Sequence, residues 1–347
     1  MNWFRRGVLL LIGLCFSSAA AQTSTCGDLV GQALLSVQDA CASTSRNQAC
    51  YGNFSLEAFP RVDVLDFTFA DRGDRVNVAD IDSMTLEGLD VEAQEWGVVL
   101  MQLQANLPDA LPGQNVTFLL FGDIEVVNAD SPELTPMQAF YFRSGVTGLT
   151  CAQAPADGML IQTPEGVGTI NLNVNEVDIR LGSTAYVQAE AGGSMTIRVI
   201  EGQAVITVNG VTVVIPAGAQ VAVPLDEDLG AAGAPGEVEP YDPETLANLP
   251  VSVLPRVVEV APAATEDEID AAQANAIEDE GTGLGPFNGK FIIGEPAEFC
   301  PAMANILASS GVTRAEYIAL IRAAVMIASP EERAQIDAFI AVLEACP

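Results

Sequence analysis

Ala204-Val205-Ile206-Thr207-Val208-Asn209-Gly210-Val211-Thr212-Val213-Val214-Ile215 decides the fold. Two runs of β-branched residues flank Asn209-Gly210, and a two-residue turn of that composition suits a type I′ hairpin because both central positions need positive φ. Working outward, short apolar runs recur at nearly even spacing: Met159–Gln162, Thr169–Val174, Val177–Leu181, Ala185–Ala189, Met195–Ile200 and Gln220–Val223. Each is bounded by glycine or a polar turn, the pattern of an antiparallel sandwich or roll.

Further back the same grammar continues. Val62–Phe69, Val98–Gln104, Val116–Phe121, Ile124–Val127 and Ala139–Phe142 are rich in Val, Phe, Leu and Thr and lie between Gly, Pro, Asn and Asp. They read as strands. Ahead of them Leu29, Val30, Ala33, Leu34 and Val37 recur at helical spacing, so Asp28–Ala42 reads as a short helix flanked by Cys26 and Cys41. The expected fold class is mainly β: two β-rich sandwich or roll domains, 22–151 and 157–225, then an acidic linker, 226–296, and a small three-helix unit, 297–347.

The linker expectation rests on composition. From Asp226 to Pro296 Gly, Ala, Pro and acids dominate, and Glu266–Glu280 carries seven carboxylates and no basic residue. Such a segment offers little apolar surface to offset chain ordering; Leu249–Val260 is the apolar exception, expected to pack back on the β body. In the tail, Thr313 with Glu316 and Ser329-Pro330 with Glu332 form capping boxes. Tyr317, Leu320, Ile321 and Ala324 make one helical face, and Ile336, Phe339, Ile340 and Leu343 another.

Export is the expected context. Arg5 and Arg6, an apolar Gly7–Phe16 and the small residues before Gln22 follow the grammar of a secretory leader, 1–21, cleaved between Ala21 and Gln22. The apolar run is well short of the roughly 20 residues that span a bilayer. Beyond Cys15, six cysteines remain: Cys26, Cys41, Cys50, Cys151, Cys300 and Cys346. With no histidine and no C-x-x-C pair, disulfides are expected rather than zinc. Cys151 is expected to join one of Cys26, Cys41 and Cys50, and Cys300 to join Cys346. The chain is expected to be secreted or on the cell surface, or periplasmic in a host with an outer membrane.

Charge and composition remove several functions. The formal charge of −32 on 347 residues becomes −34 when Arg5 and Arg6 leave, which argues against nucleic acid and anionic headgroups as partners. Asp80, Asp82, Asp90 and Glu92 are scattered, without the D-x-D-x-D-G order of a calcium loop, so the acidity reads as solubility or a salty habitat. The absence of histidine excludes Ser-His-Asp and Cys-His catalysis. Lys290 has no Ser-x-x-Lys context, and Gly281-Thr282-Gly283-Leu284-Gly285 lacks the lysine and hydroxyl of a phosphate loop. A paired-carboxylate glycosidase survives as the enzyme alternative, with Glu95-Trp96 the one acid beside an aromatic. Asn53-Phe54-Ser55 and Asn115-Val116-Thr117 match a glycosylation sequon and read as incidental in a bacterial chain. No catalytic residue, cofactor or metal ligand is assigned.

Gly158 to Leu225 resembles the FecR-type domain. The residues that carry the likeness are Val177-Asp178-Ile179-Arg180-Leu181-Gly182-Ser183-Thr184-Ala185, Met195-Thr196-Ile197-Arg198-Val199-Ile200-Glu201-Gly202, Val205-Ile206-Thr207-Val208 and Ile215-Pro216-Ala217-Gly218-Ala219-Gln220-Val221. Gly202 and Gly218 hold the two turns of the family pattern. The resemblance covers about 70 of the 347 residues and implies a β-rich extracytoplasmic module. In iron-uptake regulators such modules relay an outer-membrane signal to a sigma factor, and those regulators carry a cytoplasmic segment before a membrane helix. Here six residues precede the apolar run, so the binding role alone is expected to carry over: a non-enzymatic module meeting a protein or an envelope glycan. A structural or carbohydrate-associated envelope role is the alternative.

A Cys300–Cys346 bridge should stabilise the tail by roughly 3–4 kcal/mol by closing its loop. Reduction should therefore remove helical signal, and a free thiol at Cys346 in the secreted protein would exclude the bridge.

Overall fold

The computed structural model describes residues 26–105, 115–129, 131, 134–145, 151–164 and 169–282. The expected leader, its cleavage site and the three-helix tail with Cys300 and Cys346 lie outside the described residues.

The fold is mainly β, two sheets of nine and eight strands. A helix, α1 (Cys26–Ala40), opens the described chain; β1 (Gln48–Asn53), β2 (Leu56–Pro60), β3 (Arg75–Asn77) and β4 (Ile81–Leu86) follow. Next come β5 (Val98–Leu103), β6 (Val116–Phe121), β7 (Ile124–Asn128), β8 (Ala139–Ser144) and β9 (Gly158–Gln162). The regular stretch supplies β10 (Ile170–Val174), β11 (Val177–Leu181), β12 (Thr184–Ala189) and β13 (Ser194–Glu201). It continues with β14 (Gln203–Val208), β15 (Val211–Pro216) and β16 (Ala219–Pro224), and β17 (Glu239–Pro240) and α2 (Glu266–Thr282) complete the elements. Asn209 and Gly210 both have positive φ, 50° and 78°, as the β14–β15 turn requires.

The chain winds between the sheets by hairpins. Sheet A runs β17-β16-β13-β12-β9-β6-β5-β1-β3, and sheet B runs β15-β14-β11-β10-β8-β7-β4-β2. Hairpins β7/β8, β10/β11 and β14/β15 lie in B, where β2 and β4 also pair antiparallel around the excursion to β3; β5/β6 and β12/β13 lie in A. Between β8 and β10 the chain visits sheet A with β9 alone, and on its return β10 pairs parallel with β8, Asn173 beside Ala139 and Val174 beside Phe140. Both sheets therefore run through the 151–157 boundary between the two expected β domains, and one apolar core fills the space between them from Met84 to Ile206.

Sheet A is covered on its second face as well. Leu29, Val30, Ala33 and Val37 of α1 pack there with Trp96, Leu119, Phe121 and Tyr186, beside Tyr241, Leu246, Leu249, Leu254 and Val258. Strands buried on both faces have unbroken apolar runs, and β6 is buried at every position. Strands of B alternate instead, as in β10 and β11. Disulfides Cys26–Cys151, Cα atoms 6.2 Å apart, and Cys41–Cys50, 5.8 Å, pin both ends of α1 to the sheet.

Two expectations need correction. Most of the predicted linker is folded: residues 226–264 form β17, two short 3-10 turns and a strap across sheet A, and Thr265 with Glu268 caps α2. Few apolar residues suffice because sheet A supplies the other half of the contact. Polar clamps complete it: Arg256 pairs with Glu201 at 2.6 Å, and Tyr241 Oη donates to the Ala261 carbonyl. Gly218 (φ +90°) lies so close to Pro262 and Ala264 that a β-carbon would meet backbone. The second correction concerns Val62–Phe69, which is not a strand. Phe69 alone of its apolar residues is buried, while Val62 and Leu65 face solvent. In sheet A the place beside β1 is taken by Arg75–Asn77.

Asn175 (φ 53°) joins the β8–β10 seam: its carboxamide accepts from Phe142 N–H at 2.7 Å and donates to Phe142 C=O at 2.9 Å, fully buried. Asn175→Ala strands both backbone groups of Phe142 and should cost about 2–4 kcal/mol. Urea unfolding checks this; a loss under about 1 kcal/mol would mean that the seam does not need the side chain.

Candidate interaction surface

Exposed apolar side chains concentrate at one place. Of the seven large ones exposed among the described residues, Phe54, Phe59, Val62 and Leu65 fall within twelve residues of sequence at the β2 edge of sheet B. Val62 and Leu65 make almost no contact, at 104% and 93% exposure. Two causes hold them out. Val64 N–H bonds the Arg61 carbonyl and Arg61 N–H bonds the Asp80 carbonyl, which lifts the chain into a turn. Phe67 and Phe69 then anchor its far side, edge-on to each other, with Phe69 against Tyr51 at 5.9 Å between ring centres.

The backbone edge beneath this turn is largely closed. Glu87 N–H bonds the Ser55 carbonyl, so β2 turns the backbone groups of Leu56, Ala58 and Pro60 outward. Leu56 N–H is taken by Tyr51 Oη at 3.1 Å, and Pro60 has no N–H to offer. What remains for a partner is mainly side chain: an apolar surface with Glu57, Asp63 and Asp66 exposed among its members.

A carboxylate pair sits elsewhere. Asp123 follows β6 and Asp157 precedes β9, and their Oδ2 atoms lie 2.7 and 2.8 Å from where a Gly145 β-carbon would be. The Asp157 carboxyl rests on Gly122 (φ +89°), where any side chain would collide with it. Burial, and less strongly the charge of Asp123, push Asp157 up to about 6, against the Asp123 N–H that it accepts. Asp123 itself faces Arg143 at 3.6 Å. The carboxylate of Asp157 thus braces backbone, and its carbonyl accepts from Tyr186 Oη and Gln188 Nε2.

The residues singled out in the sequence fall apart from both places. Trp96 is fully buried against Phe121, ring centres 6.0 Å apart, while Glu95 is exposed, so the pair does not form a stacking platform. Asp90 Oδ1 is occupied by Glu92 and Ala93 N–H groups, Asp82 is exposed and Asp80 is half-buried. Among the described residues no three His, Cys, Asp or Glu side chains are grouped as a metal ion would require. Asn53 of the first sequon is buried and donates to the Trp96 carbonyl. Asn115 of the second bonds Gln102 and accepts from Arg46. Sequence reasoning missed the Asp123–Asp157 pair because the two lie far apart along the chain. It missed the apolar turn because a run rich in Val, Leu, Phe and Thr between turn residues reads as a strand.

No protein-family model and no curated protein matches the chain. A solved structure to which it is similar is that of a putative anti-sigma factor from Parabacteroides distasonis. The likeness covers 43% of this chain and 58% of that one, at 11% identity and a TM-score of 0.27, and carries no argument about function. Among the described residues no helix is long and apolar enough to cross a membrane. The two disulfides are compatible with an extracellular protein.

A carboxyl held above its unfolded value binds its proton more tightly in the folded state, so its contribution is fully present below about pH 4 and is lost as pH rises through about 6. Asp157→Asn should remove that loss and raise stability at pH 8 by about 1–2 kcal/mol, discounted for partial exposure, with little change at pH 4. Denaturant melts at the two pH values check the sign. A variant equally destabilised at both would show that the carboxylate is needed as an acceptor.

Proposed function

We propose that this chain is a non-enzymatic, extracytoplasmic protein-interaction module that binds through the apolar turn around Val62 and Leu65. One observation carries the reading: two aliphatic side chains stand almost wholly in solvent, beside Phe54 and Phe59, on a turn fixed by hydrogen bonds. Four large apolar side chains exposed within twelve residues of sequence, in an otherwise well-packed protein, point to an interaction site. Asp63 and Asp66 are interleaved with it, and the chain carries −32. The partner is therefore a protein with an apolar socket bordered by basic groups.

The FecR-type reading of Gly158–Leu225 belongs to the same proposal. It is supported by the positive φ of Gly202 and Gly218, 73° and 90°, at the two turns of the family pattern. The secreted or cell-surface location is supported by the two disulfides. The Asp123–Asp157 pair favours a structural role over hydrolysis, because the Asp157 carboxylate is spent on the Asp123 backbone.

The test places a photo-crosslinking residue at Val62 in the full chain and, as control, at Val257, which is 92% exposed without exposed apolar neighbours in sequence. Exposure to an envelope fraction should give discrete adducts from position 62, and Leu65→Asp should reduce them at least about fivefold, as expected for a hot-spot residue. Equal yields from 62 and 257 would sink the proposal.

A further inference from the structure

The far edge of sheet B is β15, whose sequence, Val211-Thr212-Val213-Val214-Ile215-Pro216, carries no charge. Its pairing with β14 starts at Val208–Val211 across the two-residue turn, so Val211, Val213 and Ile215 bond inward. Thr212, Val214 and Pro216 turn their backbone groups outward. An uncharged, β-branched edge of this kind templates strand addition unless it is covered.

The cover is α2, and it imitates a strand. Gln273 Oε1 accepts from Val214 N–H at 3.2 Å, and Gln273 Nε2 donates to the Val214 carbonyl. One carboxamide thus makes the reciprocal pair of bonds that a neighbouring antiparallel residue would make. Among its described side chains Ile269 is the buried apolar one in the core, and four acids, Glu266, Asp267, Glu268 and Asp270, occupy its first turns.

We propose that β15 is a latent self-association edge and that α2 is the guard that keeps it closed. The occupant is β15 of a second copy. Antiparallel pairing about a two-fold axis at Val214 lets the two Val214 residues exchange both backbone bonds, and each Thr212 N–H then meets the Pro216 carbonyl of the other copy. Pro216 has no N–H, so the Thr212 carbonyl opposite it gains no bond and the ladder ends at this pair. Charge supports the same occupant: in a chain of net −32, an uncharged strand is a place where two copies meet without opposed carboxylates. The guard releases a surface distinct from the Val62 turn, so this inference stands apart from the proposed function.

The experiment uses the full chain carrying Ile269→Asp and Gln273→Ala. Hydrogen exchange at Val214 N–H should rise at least about tenfold as the guard opens. Sedimentation should then show a concentration-dependent dimer, and adding Val214→Pro should return the protein to monomer. Gln273→Ala alone, which leaves Ile269 in place, should move exchange and association in the same direction by a smaller amount and keeps the test readable if the double variant unfolds. Unchanged Val214 exchange in both variants overturns the guard. An open β15 that stays monomeric, or a dimer that survives Val214→Pro, overturns the self-pairing edge.

Discussion

A buried sheet must pair every backbone N–H and C=O, and a ladder that stops inside the protein leaves both groups of its last residue without partners. Three side-chain carboxamides continue the ladder at such stops. Asn175 serves Phe142 where β8 and β10 part, Gln162 serves Arg256 where the strap crosses sheet A, and Gln273 serves Val214 at the outer edge. In each case oxygen accepts and nitrogen donates to one residue, as a peptide neighbour would. These contacts tie the parallel seam, the strap and α2 to the sandwich, and each would otherwise end on unsatisfied polar groups costing about 1–3 kcal/mol apiece.

That dependence explains what was legible in the sequence. Local pairings were: Asn209-Gly210 marks its own hairpin, and the even spacing of runs after Gly158 marks strands whose partners are sequence neighbours. The seam was not legible, because the parallel pairing of Ala139–Phe140 with Asn173–Val174 joins segments far apart in sequence, with β9 of the other sheet between them. Nothing within either segment encodes that. Outside Leu249–Val260, which was expected to pack back on the β body and does so, the strap was misread for a related reason. Gly, Pro and acids punctuate 226–264, yet Tyr241, Leu246, Leu249, Leu254 and Val258 need only reach a sheet face that is itself apolar. Burial is a property of the pair of surfaces, and a segment's mean hydropathy reports one of them.

The candidate surface was hidden by the converse error. Enrichment in Val, Leu, Phe and Thr over Val62–Phe69 is a valid strand signal, but a strand also needs a neighbour, and in sheet A Arg75–Asn77 already flanks β1. The segment therefore lies outside the ladder with Phe67 and Phe69 turned in and Val62 and Leu65 turned out.

The four sheet edges show how selection of a binding surface can follow from closing the others. In sheet A both edges are short, three residues in β3 and two in β17, too little for a stable added strand. In sheet B, β2 is blunted by Pro60 and by Tyr51 Oη on Leu56 N–H, and β15 is covered by a helix. Backbone pairing is thus suppressed at all four, by length, by proline, by a phenol and by a carboxamide. Affinity at β2 must then come from side chains, which discriminate between partners, rather than from main-chain ladders, which accept any extended chain. On the proposed reading, an acidic, disulfide-tied body with closed edges offers the apolar turn around Val62 and Leu65, found among the described residues, to a specific partner.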